Sequence, residues 1–335
     1  MDVRLSTEQL ELRDAAARMV ADLAPRTVGD LDDPTRRSAL ERALHGAGWR
    51  ELRTPTDDGT PWASGVEVAI VAEQLARGAA DVAFVGPTLA AELRRLAGAE
   101  VSETPETLLL SSDLSTLSDE PASGIALDAA GLARALTVVR HGDRRTLVSV
   151  PLSPPASTID LTRPTARPAG VATTVEHRHQ IDDDVLLRLT VLATALATAD
   201  LVGTMEGTTR LAIDHVGNRH QYGRPVGSFQ AVHHLLADAF TFTEGSRSAA
   251  LHAAWAVDSL PLADAVVATA TAKAYAARAA RAVCETSIQV HGGIGNTWEC
   301  MAHVFLRRSL VATDLFGGIS TNLDRVLAGH GIGGR

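Results

Sequence analysis

Apolar residues recur three and four positions apart through most of the first hundred residues, the spacing of one buried helix face. The stretch "STEQLELRDAAARMVADL" places Leu10, Ala15, Ala16, Met19, Val20 and Leu23 on that face, with Ser6 or Thr7 as the capping residue. Further helices are predicted in "PTRRSALERALHGAG", "GVEVAIVAEQLARGA" and "VGPTLAAELRRLAG". Between about Glu103 and His177 the period shortens. Runs such as "TLLLSS", "GIALDA", "ALTVVR" and "TLVSVPL" stand between clusters of Asp, Gly, Ser and Pro, as strands joined by turns do. From Asp182 to about Leu327 the helical period returns over four long segments with short connections, an up-and-down four-helix bundle. The pattern predicts an α+β, mainly α fold in three parts: a helical domain (1–104), a small, reduced β-domain (105–180) and a C-terminal four-helix bundle (181–330).

Composition sharpens this picture. The chain has 335 residues, 45% hydrophobic and only 4% aromatic, and it is rich in Ala, which favours helix. A net charge of −9 with no basic stripe argues against nucleic-acid binding. The opening residues carry charges throughout and do not read as a signal peptide, and no window reaches the ~18 apolar residues of a membrane span. The two cysteines, Cys284 and Cys300, show neither zinc-ligand nor disulfide spacing. A cytoplasmic protein with no membrane partner is expected.

Two connections in the bundle are more particular than a turn requires: "NRHQYGRPVGSFQ", from Asn218 to Gln230, and "QVHGGIGNTWE", from Gln289 to Glu299. Each follows a long helix. With the opening "STEQLELRDAAARMV" and "VAEQLARGAADVAFVGPTLAAELRRLAG", they resemble the acyl-CoA dehydrogenase family over nearly the whole chain, least so in the middle. The resemblance implies the same three-part fold and FAD as cofactor. It also implies α,β-desaturation of an acyl-CoA thioester, in which a carboxylate removes the α proton and the flavin accepts hydride from the β carbon. By matching position it implies contacts to a neighbouring subunit's FAD from Arg219, Tyr222 (in place of Phe) and Gln230, and from Gln289, Gly292, Gly293 and Gly295. An Arg fork suits phosphate oxygens, and glycines let the backbone approach a pyrophosphate.

The family's base is usually the Glu of a "YEGT" turn. Here the matching stretch is "FGGIS", with Phe316 for Tyr and Gly317 where the Glu would stand. The position used by a second lineage falls near Ala197, also no acid, and the nearest carboxylates on that helix are Asp200 and Glu206. The family's "TEPxxGSD"-like flavin loop has no counterpart in "LSSDLSTLSDEPASGIAL". These losses resemble the shorter subunit of actinobacterial heteromeric acyl-CoA dehydrogenases, several linked to steroid side-chain breakdown. In those, a catalytic partner supplies the base in an α2β2 assembly. No catalytic residue is therefore expected in this chain.

Two alternatives stay open. One is a self-sufficient homo-oligomer with Asp200 or Glu206 as a relocated base. The other is a scaffold that has lost FAD. Of the other candidates, His215, His220, His233 and His234 lack the spacing of a metal site, and His291 is expected to fix its turn. Arg210, Arg224, Arg307 and Arg308 read as surface or FAD-facing, and Trp255 and Trp298 as packing residues.

Overall fold

The computed structural model describes residues 4–332, and its elements follow the predicted order. Helix α1 (Thr7–Leu23) starts at Ser6, whose hydroxyl accepts from the Gln9 amide while the Gln9 side chain accepts from the Ser6 amide. That reciprocal cap satisfies two amides that a helix start leaves free. Helices α2 (Pro34–Gly46), α3 (Gly65–Arg77) and α4 (Val85–Ala97) complete the first domain. α3 is capped in the same way by Ser64 and Glu67 and lies almost wholly buried against α1, α5 and α6.

Five short strands follow: β1 (Thr107–Leu110), β2 (Ile125–Ala126), β3 (Arg134–His141), β4 (Arg144–Pro151) and β5 (Thr173–Thr174). They form one sheet in the order β2-β1-β3-β4-β5. Only β1 and β3 run parallel, and the β3–β4 hairpin turns through Gly142 at φ +61°. "GIALDA" yields just the two-residue β2, because the chain leaves the ladder at Leu127.

The bundle is built on α5 (Asp183–Asn218), a single 36-residue helix capped by Asp182. It packs against α6 (Gln230–Ser259), α7 (Leu262–His291) and α8 (Ala302–Asp314), with the two-stranded hairpin β6 (His220–Gln221) and β7 (Arg224–Pro225) between α5 and α6. The fourth bundle member, predicted over Trp298–Phe316, forms only from Ala302 to Asp314; the chain then turns through Leu315–Gly318 and adds a further helix, α9 (Ile319–Gly329), not singled out in the sequence. Phe316 and Gly317 both take positive φ there, +59° and +102°, which no α-helix accommodates.

The expectation about membrane spans also fails in its letter. By length and composition α5 is apolar enough to cross a membrane, yet 72% of that window is buried inside the protein. Its apolar residues face other helices rather than lipid. Two glycines make this close packing possible: a methyl group at Gly203 would strike the Glu73 carbonyl, and one at Gly207 the Arg77 carbonyl, both on α3. One core runs from α1–α4 through Leu108, Leu136 and Leu192 to Phe316, so all three parts share a continuous apolar interior.

Candidate functional site

Two clefts hold some of the residues singled out in the sequence, one facing inward and one outward, and the others lie outside both. The inward place is a cleft of about 270 Å³ between the sheet and α5, lined among others by Thr116, Leu117, Val138, Leu189 and Phe316. Of the Leu315–Gly318 turn, Phe316 alone lines it. The Phe316 amide donates to the Leu114 carbonyl at 2.9 Å, so the Ser111–Thr116 loop is tied directly to that turn. Leu114 and Leu117 pack on the same apolar cluster as Phe316.

Gly317 brings no side chain to this cleft, and its surroundings disfavour one. At φ +102°, an added Cβ would lie 3.0 Å and 3.2 Å from the Thr321 side chain. The turn is held through its carbonyls. Asn322 Nδ2 donates to Gly317 O at 2.8 Å and Gly318 O at 3.0 Å, and Arg325 Nη1 donates to Phe316 O at 2.9 Å. Lys273 Nζ donates to Thr313 O at 3.0 Å, Leu315 O at 2.8 Å and Gly317 O at 3.4 Å.

Lys273 is the only lysine in the sequence, and it is fully buried. Burial pushes its amine down to about 7, against the pull of Asp314. Sequence reasoning missed it, although a lone lysine among thirty arginines was a visible signal. A compact ammonium can reach three carbonyls around one point, which a planar guanidinium cannot.

Neither candidate base lies in the cleft. Asp200 is 1% exposed and is held between two guanidiniums: Arg163 donates to Oδ2, and Arg308 Nη2 donates to the same oxygen at 2.7 Å. Burial alone would raise the Asp200 carboxyl, but the charges of Arg163 and Arg308 outweigh it and hold it below the usual range. Such a carboxylate is a framework group. Arg308, expected at the surface, is instead 3% exposed, because it must reach Asp200, Thr162 Oγ1 at 2.7 Å and Ala80 O at 3.2 Å. Glu206 pairs with Arg247 at 2.8 Å, Arg210 at 3.2 Å and Arg77 at 3.4 Å, in a different cleft between the first domain and the bundle. Ala197 is buried in the core. Among the described residues, the one carboxylate lining the cleft beside Phe316 is the exposed Asp119, another residue the sequence reading passed over.

The outward place is a groove of about 470 Å³ at the opposite end of α5, lined among others by Arg26, Asp214, His215, Arg219, His291 and Glu299. Arg219 ends α5: its amide donates to His215 O at 2.9 Å, and its carbonyl accepts from Val226 at 2.7 Å. Its guanidinium makes no hydrogen bond or ion pair within the described chain. Gly292 has φ +67°, and a Cβ added at Gly292 or Gly293 would meet nothing within 4 Å. Gly295 is a packing requirement instead, since a Cβ there would lie 2.7 Å from Ile288 O.

The His291 ring is anchored back on its own helix, by a 2.7 Å hydrogen bond between Nδ1 and Ser287 O, rather than on the glycine turn that follows. The ring also stacks on His215, centroids 4.4 Å apart. Gln289 is exposed beside the turn.

Of the residues predicted to meet the cofactor, only Arg219 lines this groove; the glycine turn contributes Ile294 and the preceding His291 to it, while Gly292, Gly293, Gly295, Gln289, Tyr222 and Gln230 lie outside its lining. Tyr222, 93% exposed at φ +51°, meets Phe229 edge-on at 6.2 Å, and the Arg224 guanidinium lies 4.1 Å over the Phe229 ring. Gln230 opens α6, a helix start with no side-chain cap and so with free amides. Trp298, read as a packing residue, is 63% exposed and contacts Arg307 and His303 at the surface. Both cysteines are buried and free, and burial pushes the Cys284 thiol up to about 12.

An unpaired guanidinium, an open glycine turn and an uncapped helix start, although they do not line one groove, are each donors of a kind that suits a phosphate. Residues 188–328, which span nearly the whole bundle, match the family described as "Acyl-CoA dehydrogenase, C-terminal domain". The C-terminal part of the chain is thus similar to the C-terminal domain of acyl-CoA dehydrogenases. FAD is that family's cofactor. Acyl-CoA dehydrogenase IpdE2 of Mycolicibacterium smegmatis is 29% identical over 281 residues, covering 84% of each chain. Acyl-CoA dehydrogenase FadE34 of Mycobacterium tuberculosis is 38% identical over 141 residues, which is 42% of this chain but only 20% of that protein. The ChsE4–ChsE5 complex from Mycobacterium tuberculosis has the same fold, with a TM-score of 0.82 at 22% identity over the full length of both chains.

Proposed function

We propose that this chain is a subunit of an FAD-dependent acyl-CoA dehydrogenase that completes a partner's FAD site and leaves the base to that partner. One observation carries this reading: the phosphate-type donors point out of the chain, while its own cleft has a glycine on a pinned turn where the acid would stand. A related fold occurring in a complex of two differently named proteins, ChsE4 and ChsE5, supports a second acyl-CoA dehydrogenase chain as the partner, in an α2β2 assembly. The buried free thiols fit a reducing, cytoplasmic setting.

The chemistry divides accordingly. FAD, when bound, supplies the hydride acceptor. Arg219 would neutralise the diphosphate through charge-assisted hydrogen bonds, and Gly292 and Gly293 would let backbone N–H groups approach it. Gln230 and Gln289 would offer side-chain amides to the adenosine half, with Tyr222 at its edge. Proton abstraction from the substrate α carbon falls to the partner's carboxylate. A self-sufficient enzyme would need Asp200 or Glu206 beside the substrate, and both are committed to arginines elsewhere.

The test is to purify the chain alone and after co-expression with a longer acyl-CoA dehydrogenase, recording flavin absorbance and native mass. A colourless lone chain that becomes part of a yellow heterotetramer supports the proposal. A yellow homo-oligomer that oxidises acyl-CoA unaided overturns it.

A further inference from the structure

The outward groove contains a pair of groups that the reading above does not use. His215 and His291 stack with centroids 4.4 Å apart and planes inclined by 30°. His291 is buried and anchored by its Nδ1 bond to Ser287 O, and Ser287 Oγ in turn donates to Thr208 O on α5 at 3.1 Å. Neither ring nitrogen of His215 makes a hydrogen bond among the described residues, and His215 is only half-buried in the groove.

The fixed charges around the pair come from every element of the groove. Arg219 and Asp214 lie on α5, Glu299 follows the glycine turn, and Arg26 comes from the first domain, its guanidinium donating to Ala21 O at 2.7 Å. Two guanidiniums face two carboxylates, so the fixed charges cancel. A diphosphate entering this groove would bring negative charge on both phosphates into a site whose carboxylates already offset its arginines. The group able to supply further positive charge near neutral pH is an imidazole.

We propose that His215, braced by its stack on His291, is a further diphosphate-binding residue that takes up a proton as the dinucleotide enters. The inference rests on the groove being a diphosphate site, as read above, and adds the residue and the proton.

The balance of effects supports the direction. In the free protein, burial first, then the neighbouring His291 ring and the Arg219 guanidinium, hold His215 below the usual histidine range, so its imidazole is mostly neutral near pH 7. An anion beside the ring reverses the electrostatic part of that preference. The stack costs little while both rings are neutral and becomes a cation beside an anion when one is protonated. Affinity should therefore fall as pH rises through the histidine range, because the proton must come from a scarcer supply.

The experiment is calorimetric titration of ADP-ribose, whose diphosphate is esterified at both ends and carries no proton that titrates between pH 6 and 8, into the flavin-stripped heteromer at pH 6, 7 and 8, each in two buffers of different ionisation enthalpy. The expected result is uptake of a fraction of a proton up to one, with affinity falling by up to about tenfold for each unit by which the bound His215 rises. His215→Gln and His215→Asn should bind ADP-ribose with an affinity independent of pH in this range and without proton uptake. Arg219→Ala should weaken binding at all three pH values. ADP-ribose binding to the wild type with no proton uptake would overturn the role of His215 and leave the groove assignment standing. No ADP-ribose binding to the wild type would overturn both. The wild-type uptake measurement needs no variant, so a poorly folding substitution does not block the test.

Discussion

Two glycine turns, about twenty residues apart in sequence, show how differently one residue type can be used. At Gly292 and Gly293 the backbone stands open, with nothing within 4 Å of an added Cβ, and the Arg219 guanidinium, in a groove shared with His291 and Ile294, has no partner within the described chain. At Phe316–Gly318 the side chains of Lys273, Asn322 and Arg325 take the carbonyls, and the loop before β2 closes over the front. The first turn is a surface waiting for something outside the chain, and the second is a sealed part of the core. Glycine alone does not tell these apart. What distinguishes them is where the neighbouring donors are spent.

The largest expected effect tests whether the inner region is framework. Asp200→Ala removes the carboxylate that Arg163 and Arg308 share, leaving Arg163 with Asp128 at 3.5 Å and Asp160 at 3.9 Å and Arg308 with no carboxylate, and should cost ~3–5 kcal/mol of stability, measured by urea denaturation. A stable Asp200→Ala chain whose heteromer had lost dehydrogenase activity would instead return Asp200 to the list of bases.

Arg219→Ala tests the outer region. It should weaken FAD retention by the heteromer about tenfold to a hundredfold, the ~1.5–3 kcal/mol of a charged hydrogen bond, with little change in the melting temperature of the lone chain. Equal flavin content in wild type and variant would mean that the groove does not meet the cofactor.

Gly317→Glu restores an acid to the family's usual position. Because of the φ of +102° and the contact with Thr321, it should destabilise the chain by ~1–3 kcal/mol and produce no dehydrogenase activity by itself. Desaturation by the purified variant alone would show that only the acid was missing from the inner cleft.

The smallest effect is a slope. With Lys273 near 7 when folded and near its ordinary value of 10.5 when unfolded, the unfolded chain binds more protons between those limits. Stability should therefore rise with pH across that window, by at most about 1.4 kcal/mol per unit. Urea midpoints at pH 7.5 and 9 for wild type and Lys273→Met measure it, and the rise should be absent from the variant. Equal slopes would mean that the three carbonyls keep the ammonium charged, and that the inner turn is held by an ion.

Much of this was legible in the sequence. Helical period, capping residues and short apolar runs set the three-part order, because burial of one face per helix leaves a linear trace. Ser6, Asp182 and the length of α5 could all be read locally, and so could the absence of an acid at Gly317. The exceptions share a cause. The packing of the further helix α9 on α7, the burial of Arg308 and the exposure of Trp298 each depend on partners distant in sequence. Arg308 looks like a surface residue until Thr162, Asp200 and Ala80 are brought around it.

The sequence by itself determined which residue types were available: Arg219 and the glycines of the second loop, and no carboxylate at position 317. Only the tertiary structure decided which of them were free. Periodicity reports the face a residue occupies on its own helix, while pairing is a property of space. Asp200 and Arg219 were both charged residues on one long helix, and packing alone sealed the first among arginines and left the second open to a ligand.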